Sequence, residues 1–226
     1  MRFDGSQVEA RLNGATGDVR ILNHPFYKAW AAGELSTEDL SFYATQYWRQ
    51  VESFPGYLET IASRLPSSHA RGVVLENLAD EVDGDHLGLW LEFADGVGAS
   101  RDSVLNSEIA PETAECVASF KESVAQRSVA FALGMIYGYE SQTPEVAETK
   151  VKGLREFYGI EGPALEYFEL HGSLDIEHSG ELAVAISEIA KDEQSLAEAE
   201  AGARAGADAI WKLLDGVSRV REICPA

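Results

Sequence analysis

Apolar residues recur along this chain at spacings of three and four, with no convincing alternation at two, so the pattern predicts helices and no sheet. The clearest stripe is Leu40, Tyr43, Tyr47, Val51, Phe54 and Leu58, opened by the capping-box-like Ser36-Thr37-Glu38-Asp39. Pro55 falls inside it and predicts a kink, since the stripe continues beyond. A short aromatic helix precedes this one, opened by His24-Pro25, carrying Phe26, Tyr27 and Trp30, and stopped at Gly33. Residues before it read as a loose start. Ser67-Ser68 begins a helix with Val73, Val74, Leu75 and Leu78 that runs into the acidic stretch Asp80-Glu81-Val82-Asp83-Gly84-Asp85-His86. Helix resumes with Leu87, Leu89, Trp90 and Phe93 and stops near Gly96-Val97-Gly98. Pro111 starts another through Cys116, Val117 and Phe120; a further run spans Val129 to Glu140, bends at Pro144 and continues to Tyr158, with Gly159 closing it. Gly162-Pro163 opens a helix reaching towards Ile189, and a last one runs from about Asp192 to Ile223. No repeat of 20–50 residues interrupts this order. The expectation is an all-α bundle of about seven or more helices forming one domain over residues 1–226.

One of these helices carries unusual chemistry. The stretch His-Gly-Ser-Leu-Asp-Ile-Glu-His places His171, Asp175 and His178 at i, i+4 and i+7, within a sector of roughly 60° on one helix face. Two imidazoles and a carboxylate suit a first-row ion such as iron, manganese or zinc. The plain alternative is a pair of half-buried histidines beside acids on a solvated face. Glu140 ends an otherwise apolar and aromatic run from Phe131 to Tyr139, where a carboxylate is costly to bury unless it meets a cation or stays neutral. Glu81 and His86 are further candidates. Their spacing of five points them about 140° apart on an ideal helix, so Asp83-Gly84-Asp85 has to break or bulge the helix if both are to face one ion.

Composition narrows the partners. A formal net charge of −20, with 38 acidic against 18 basic residues, repels phosphate backbones and anionic lipid, so nucleic-acid and membrane-surface binding are not expected. A salt-adapted host would favour this balance, and ordinary acidic proteins share it. No apolar run of eighteen residues appears, and the opening MRFDGSQVEARLNG lacks the basic and apolar regions of a secretion signal. Cys116 and Cys224 are too few and too far apart for a disulfide framework or a CxxC site, which fits a reducing, cytoplasmic setting.

The segments NHPFYKAW, GELSTEDLSFYATQYW, ENLADE, YGYESQTP, KVKGLREFYGI and YFELHGSLDIEHS together resemble the family of the chlamydial death-domain-associating protein, a branch of the haem-oxygenase-like dinuclear iron oxidases. The resemblance implies a haem-oxygenase-like bundle holding two metal ions, iron–iron or iron–manganese, on Glu81, His86, Glu140, His171, Asp175 and His178. It also implies a dioxygen-dependent synthesis of 4-aminobenzoate, for folate, from the protein's own tyrosine. The sacrificed tyrosine matches Tyr27 and the amine-donating lysine Lys150. Such chemistry asks for a dry aromatic pocket, for which Tyr27, Tyr43, Tyr47, Tyr139 and Tyr167 are the candidates, set against the plain readings of aromatics at helical spacing as core and of Lys150 as a solvated lysine. Dioxygen and an external reductant are the partners this chemistry needs, and a homodimer is one expected assembly. The loop between Glu81 and His86 is shorter here than the family's, which leaves Asp80 and Asp83 as alternatives to Glu81. Other readings are an oxidase of the same scaffold acting on an external amino or fatty acid, a metal-free relative resembling pyrroloquinoline quinone biosynthesis protein C or thiaminase II, and a binding module without catalysis.

Overall fold

Helix punctuation in the sequence becomes the architecture. The computed structural model describes residues 3–223 and contains, among these, eleven α-helices, one short 3-10 turn at Ile21–Asn23 and no strand. In chain order the helices are α1 (Gly5–Thr16), α2 (Pro25–Ala32), α3 (Thr37–Arg64), α4 (His69–Asp83), α5 (His86–Gly96), α6 (Arg101–Asn106), α7 (Pro111–Gln126), α8 (Val129–Glu140), α9 (Thr143–Tyr158), α10 (Pro163–Ile189) and α11 (Glu193–Arg221). Ser36 caps α3 and forms a full capping box with Asp39, while Gly33 ends α2 in the left-handed conformation at φ 69°. Pro55 lies within α3, which runs on to Arg64. Among the described residues no helix is long and apolar enough to cross a membrane.

Three expectations are corrected. The loose start is α1, whose Asp4 and Gln7 build a capping box ahead of only two buried aliphatics, Val8 and Leu12. Six residues, Arg101–Asn106, form the additional helix α6. Pro144 does not bend a continuous helix: α8 ends at Glu140, and Pro144 stands in the first turn of a new helix, where its missing N–H costs nothing. Of the cysteines, Cys116 is buried as a free thiol, and Cys224 lies outside the described residues.

Every residue of α8 from Ala130 to Glu140 is buried, so this helix is apolar on all sides until its final acid. Glycines set how closely it meets α11. A Cβ added at Gly134 or Gly138 would stand 2.0 Å from the carbonyl oxygens of Ala199 and Ala203, and one at Gly202 would stand 2.0 Å from that of Phe131. Both helices therefore use glycine for near backbone contact, and that contact fixes the height at which Glu140 enters the interior. Helices α10, α3 and α9 pack on α8, and α4, α5 and α9 pack on α10; with α2 these supply the remaining candidate side chains.

Candidate metal centre and its cavity

The histidine row of α10 straddles two clusters. Glu81, His86 and His171 form one group and Glu140, Asp175 and His178 a second; in each, one potential ligand atom per residue lies within 4.8 Å of the others, and all six residues are buried. The helix break between α4 and α5 brings Glu81 and His86 together. Asp83 ends α4, Asp85 adopts φ 49° and caps α5, and His86 starts it, so the 140° separation of a continuous helix never arises. Gly84 makes the short loop workable, because a Cβ there would lie 2.8 Å from His86 Nε2 and 2.6 Å from the Asp80 carbonyl oxygen. Asp83 is exposed, and neither it nor Asp80 belongs to the first group.

In the first group His86 Nδ1 stands 3.0 Å and His171 Nε2 3.7 Å from the Glu81 carboxylate. Burial works to raise the Glu81 pKa, but His171 and His86 outweigh it and bring it down to about 2. His171 Nδ1 lies 2.7 Å from the Tyr167 carbonyl oxygen, an acceptor only, so Nδ1 carries a proton and Nε2 is the ring atom on the side of Glu81, a proton donor to it in the metal-free protein and the atom that would hold an ion there. The ring of Tyr167 stacks on His171 with centroids 4.2 Å apart.

The second group is richer in acid. Asn77 Nδ2 donates to Glu140 Oε1 at 2.7 Å, and His178 Nδ1 is 3.6 Å from Asp175 Oδ1. Burial, with the charge of Asp175 behind it, pushes the Glu140 pKa up to about 8. Burial opposes the charge on His178, yet Asp175, Glu140 and Asp80 prevail and raise it to about 9. Several buried polar atoms find no partner in the protein: both His86 ring nitrogens, in spite of the short approach to Glu81, and Glu140 Oε2. Unpaired atoms on α5 and α8, within a set of six candidate ligands drawn from four helices, are what a pair of cations would satisfy. The donor set, three imidazoles and three carboxylates without thiolate, fits iron or manganese.

Beside the first group lies a cavity of about 20 Å³, walled by Tyr27, Tyr47, Tyr139, Tyr167, Phe168, Lys150 and His171 among others. Lys150, which the sequence alone permits as an ordinary solvated lysine, is 4% exposed. Its Nζ donates to Tyr43 Oη at 2.8 Å, and Tyr43 Oη lies 3.4 Å from Tyr27 Oη. Nζ also stands 5.6 Å from the Tyr27 ring centroid and 4.6 Å from that of Phe168. Burial lowers the Lys150 pKa to about 7 and raises those of Tyr27 and Tyr43, so the amine readily loses its proton while the phenols keep theirs.

Comparison with known proteins decides the family. The family described as iron-containing redox enzymes, of haem-oxygenase type, matches residues 41–211. The chain belongs to this family. Within it, the chain is 36% identical over 209 residues to the 4-aminobenzoate synthase of Nitrosomonas europaea, covering 87% of this chain and 85% of that protein. It is 32% identical over 209 residues to the 4-aminobenzoate synthase of Chlamydia pneumoniae, covering 92% and 93%. Among solved structures, a TenA homologue from Pseudomonas syringae superposes with a TM-score of 0.84 over 97% of this chain and 98% of that one, at 16% identity, which speaks for the haem-oxygenase-like fold alone. Membership makes an iron-containing oxidoreductase the class of this protein, and the two buried groups are compatible with a dinuclear site.

Proposed function

We propose that the protein makes 4-aminobenzoate from its own Tyr27 in a dioxygen-dependent reaction, with Lys150 as the source of nitrogen and two metal ions, iron–iron or iron–manganese, held by Glu81, His86, Glu140, His171, Asp175 and His178. One observation carries this reading against an oxidase of external substrates. The cavity beside the candidate ligands, about 20 Å³, has room for about one water-sized molecule. Pockets for small organic ligands run to about 300–1,000 Å³. An amino or fatty acid does not fit, whereas a phenol and an amine already stand in the wall.

The chemistry of the product agrees with that placement. The amino group of 4-aminobenzoate is para to its carboxyl carbon, as the hydroxyl of tyrosine is para to Cβ. Cβ of Tyr27 thus becomes the carboxyl carbon, its bond to Cα breaking as it is oxidised at the expense of dioxygen, and the Lys150 nitrogen, parting from Cε, replaces the hydroxyl at Cζ, whose oxygen leaves as water. When bound, a pair of redox-active ions supplies the reduction of dioxygen and the oxidising power, with an external reductant to prime it. The chain's own residues do the rest. Tyr43 stands between the Tyr27 hydroxyl and the Lys150 amine and holds a proton at Oη between them. Burial lowers the amine pKa to about 7, so that a large share of it is neutral near pH 7, the form with a lone pair to give. Tyr47, Tyr139, Tyr167 and Phe168 exclude water around them.

Tyr27→Phe tests the proposal. The variant should bind metal as the parent does and release no 4-aminobenzoate when the reduced protein meets dioxygen. Product at the parental level from Tyr27→Phe would overturn it and favour an external substrate. The cytoplasm, where folate precursors are consumed, is the compartment this reading implies.

A further inference from the structure

The last turn of α4 carries two acids in succession, and they turn to different groups. Glu81 enters the first. Asp80 does not, yet its Oδ2 lies 3.0 Å from His178 Nε2, and its side chain remains 43% exposed. A carboxylate there only accepts, so the Nε2 proton stays in that bond and Nδ1 is left as the donor atom, on the side facing Asp175. The three candidate imidazoles differ in this respect. His171 is oriented by a main-chain carbonyl, His86 has no hydrogen bond at either nitrogen, and His178 is oriented by a charged side chain at the surface.

We propose that Asp80 is the positioning residue of the Glu140–Asp175–His178 group: it fixes which nitrogen of His178 faces the metal, holds the ring in that plane and, as an anion, strengthens Nδ1 as a donor. The proposal rests on the reading that this group binds a metal ion. It follows that one turn of α4 serves both ions, Glu81 as a ligand of the first and Asp80 through a ligand of the second. Because half of the Asp80 side chain is in water, its removal leaves no internal hole, and the fold tolerates the change.

The test is anaerobic titration of metal-free protein with cobalt(II), followed by absorption and by stoichiometry. The parent should take up two equivalents. Asp80→Ala should bind one equivalent as the parent does and the other about 10–100-fold more weakly. Asp80→Asn, which still accepts from Nε2 but lacks the charge, should recover part of that loss. Unchanged affinity for both equivalents in Asp80→Ala would overturn the proposal, as would equal weakening of both, which marks a general disturbance of α4. A parent that binds no cobalt would overturn the metal reading and this proposal together, whereas a parent that binds two but makes no 4-aminobenzoate leaves the assignment of Asp80 standing.

Discussion

The two buried groups solve the problem of buried charge in opposite ways. The first sets two imidazoles around one carboxylate, so Glu81 is compensated within the protein and its pKa falls to about 2. The second sets two carboxylates beside one imidazole, and Glu140 is driven up to about 8 with Oε2 unpaired. In charge, the first group is balanced within the protein, although His86 lacks a hydrogen-bond partner at either nitrogen; the second is not balanced. A site that needs its ion to settle its own acids binds that ion at the expense of metal-free stability.

The largest expected effect is on stoichiometry. His171→Ala and His178→Ala should each lose one of two metal equivalents, the first from the Glu81 group and the second from the Glu140 group, and both should abolish product. Unchanged metal content in both variants would break the comparison outright. Stability of the metal-free protein should then depend on pH with opposite signs in the two groups. Glu140 has a folded pKa of about 8 against an ordinary value of 4.5, so the stability it confers is full below pH 4.5 and is lost as pH rises towards 8. Glu81, at about 2 against 4.5, contributes above pH 4.5 and loses its contribution as pH falls towards 2. Denaturation of metal-free Glu140→Gln should therefore lack most of the decline between 4.5 and 8, a difference on the order of a few kcal/mol. An unaltered slope would mean that the acids of the second group are already compensated.

A smaller effect separates the groups through packing. Gly138→Ala forces a Cβ against the Ala203 carbonyl oxygen, two residues before Glu140, and α8 has to shift. The cost should be about 1–3 kcal/mol of stability, with the second metal equivalent weakened and the first retained. Equal weakening of both would show that α8 positions the whole centre. The smallest effect concerns Lys150, outside both groups. With its pKa at about 7, the rate of product formation should rise as pH passes through 7 and level off above it; a rate flat between about pH 6 and 8 would contradict a neutral amine as donor.

Particular residues explain what was legible beforehand. Punctuation by Ser36, Gly33, Pro111 and Pro163 delimited helices because caps act locally, within one turn. The helix α1 escaped because Val8 and Leu12 alone are too few to make a stripe, although Asp4 and Gln7 carried its start signal. The row on α10 was visible from spacing, but not its division, since His171 turns to Glu81 while Asp175 and His178 turn to Glu140. Which partner each meets depends on the helix break at Gly84-Asp85 and on the glycine contact between α8 and α11, and both are tertiary. Burial of Lys150 was equally invisible: a lysine between Thr149 and Val151 reads as solvated until Tyr43 and Phe168 close over it. Asp80 had been an alternative to Glu81, and only the structure separates the two acids by a turn of the side chain.

The central claim is that the substrate is a part of the chain itself. Protein grown with ring-labelled tyrosine and ε-¹⁵N-lysine, loaded with unlabelled iron and manganese, reduced, and exposed once to dioxygen provides the most direct measurement. The account predicts 4-aminobenzoate carrying both labels, in no more than one equivalent per chain, with a matching loss of mass in the peptide that holds Tyr27. Unlabelled product formed from an added small molecule, accumulating through many turnovers with Tyr27 intact, would contradict it.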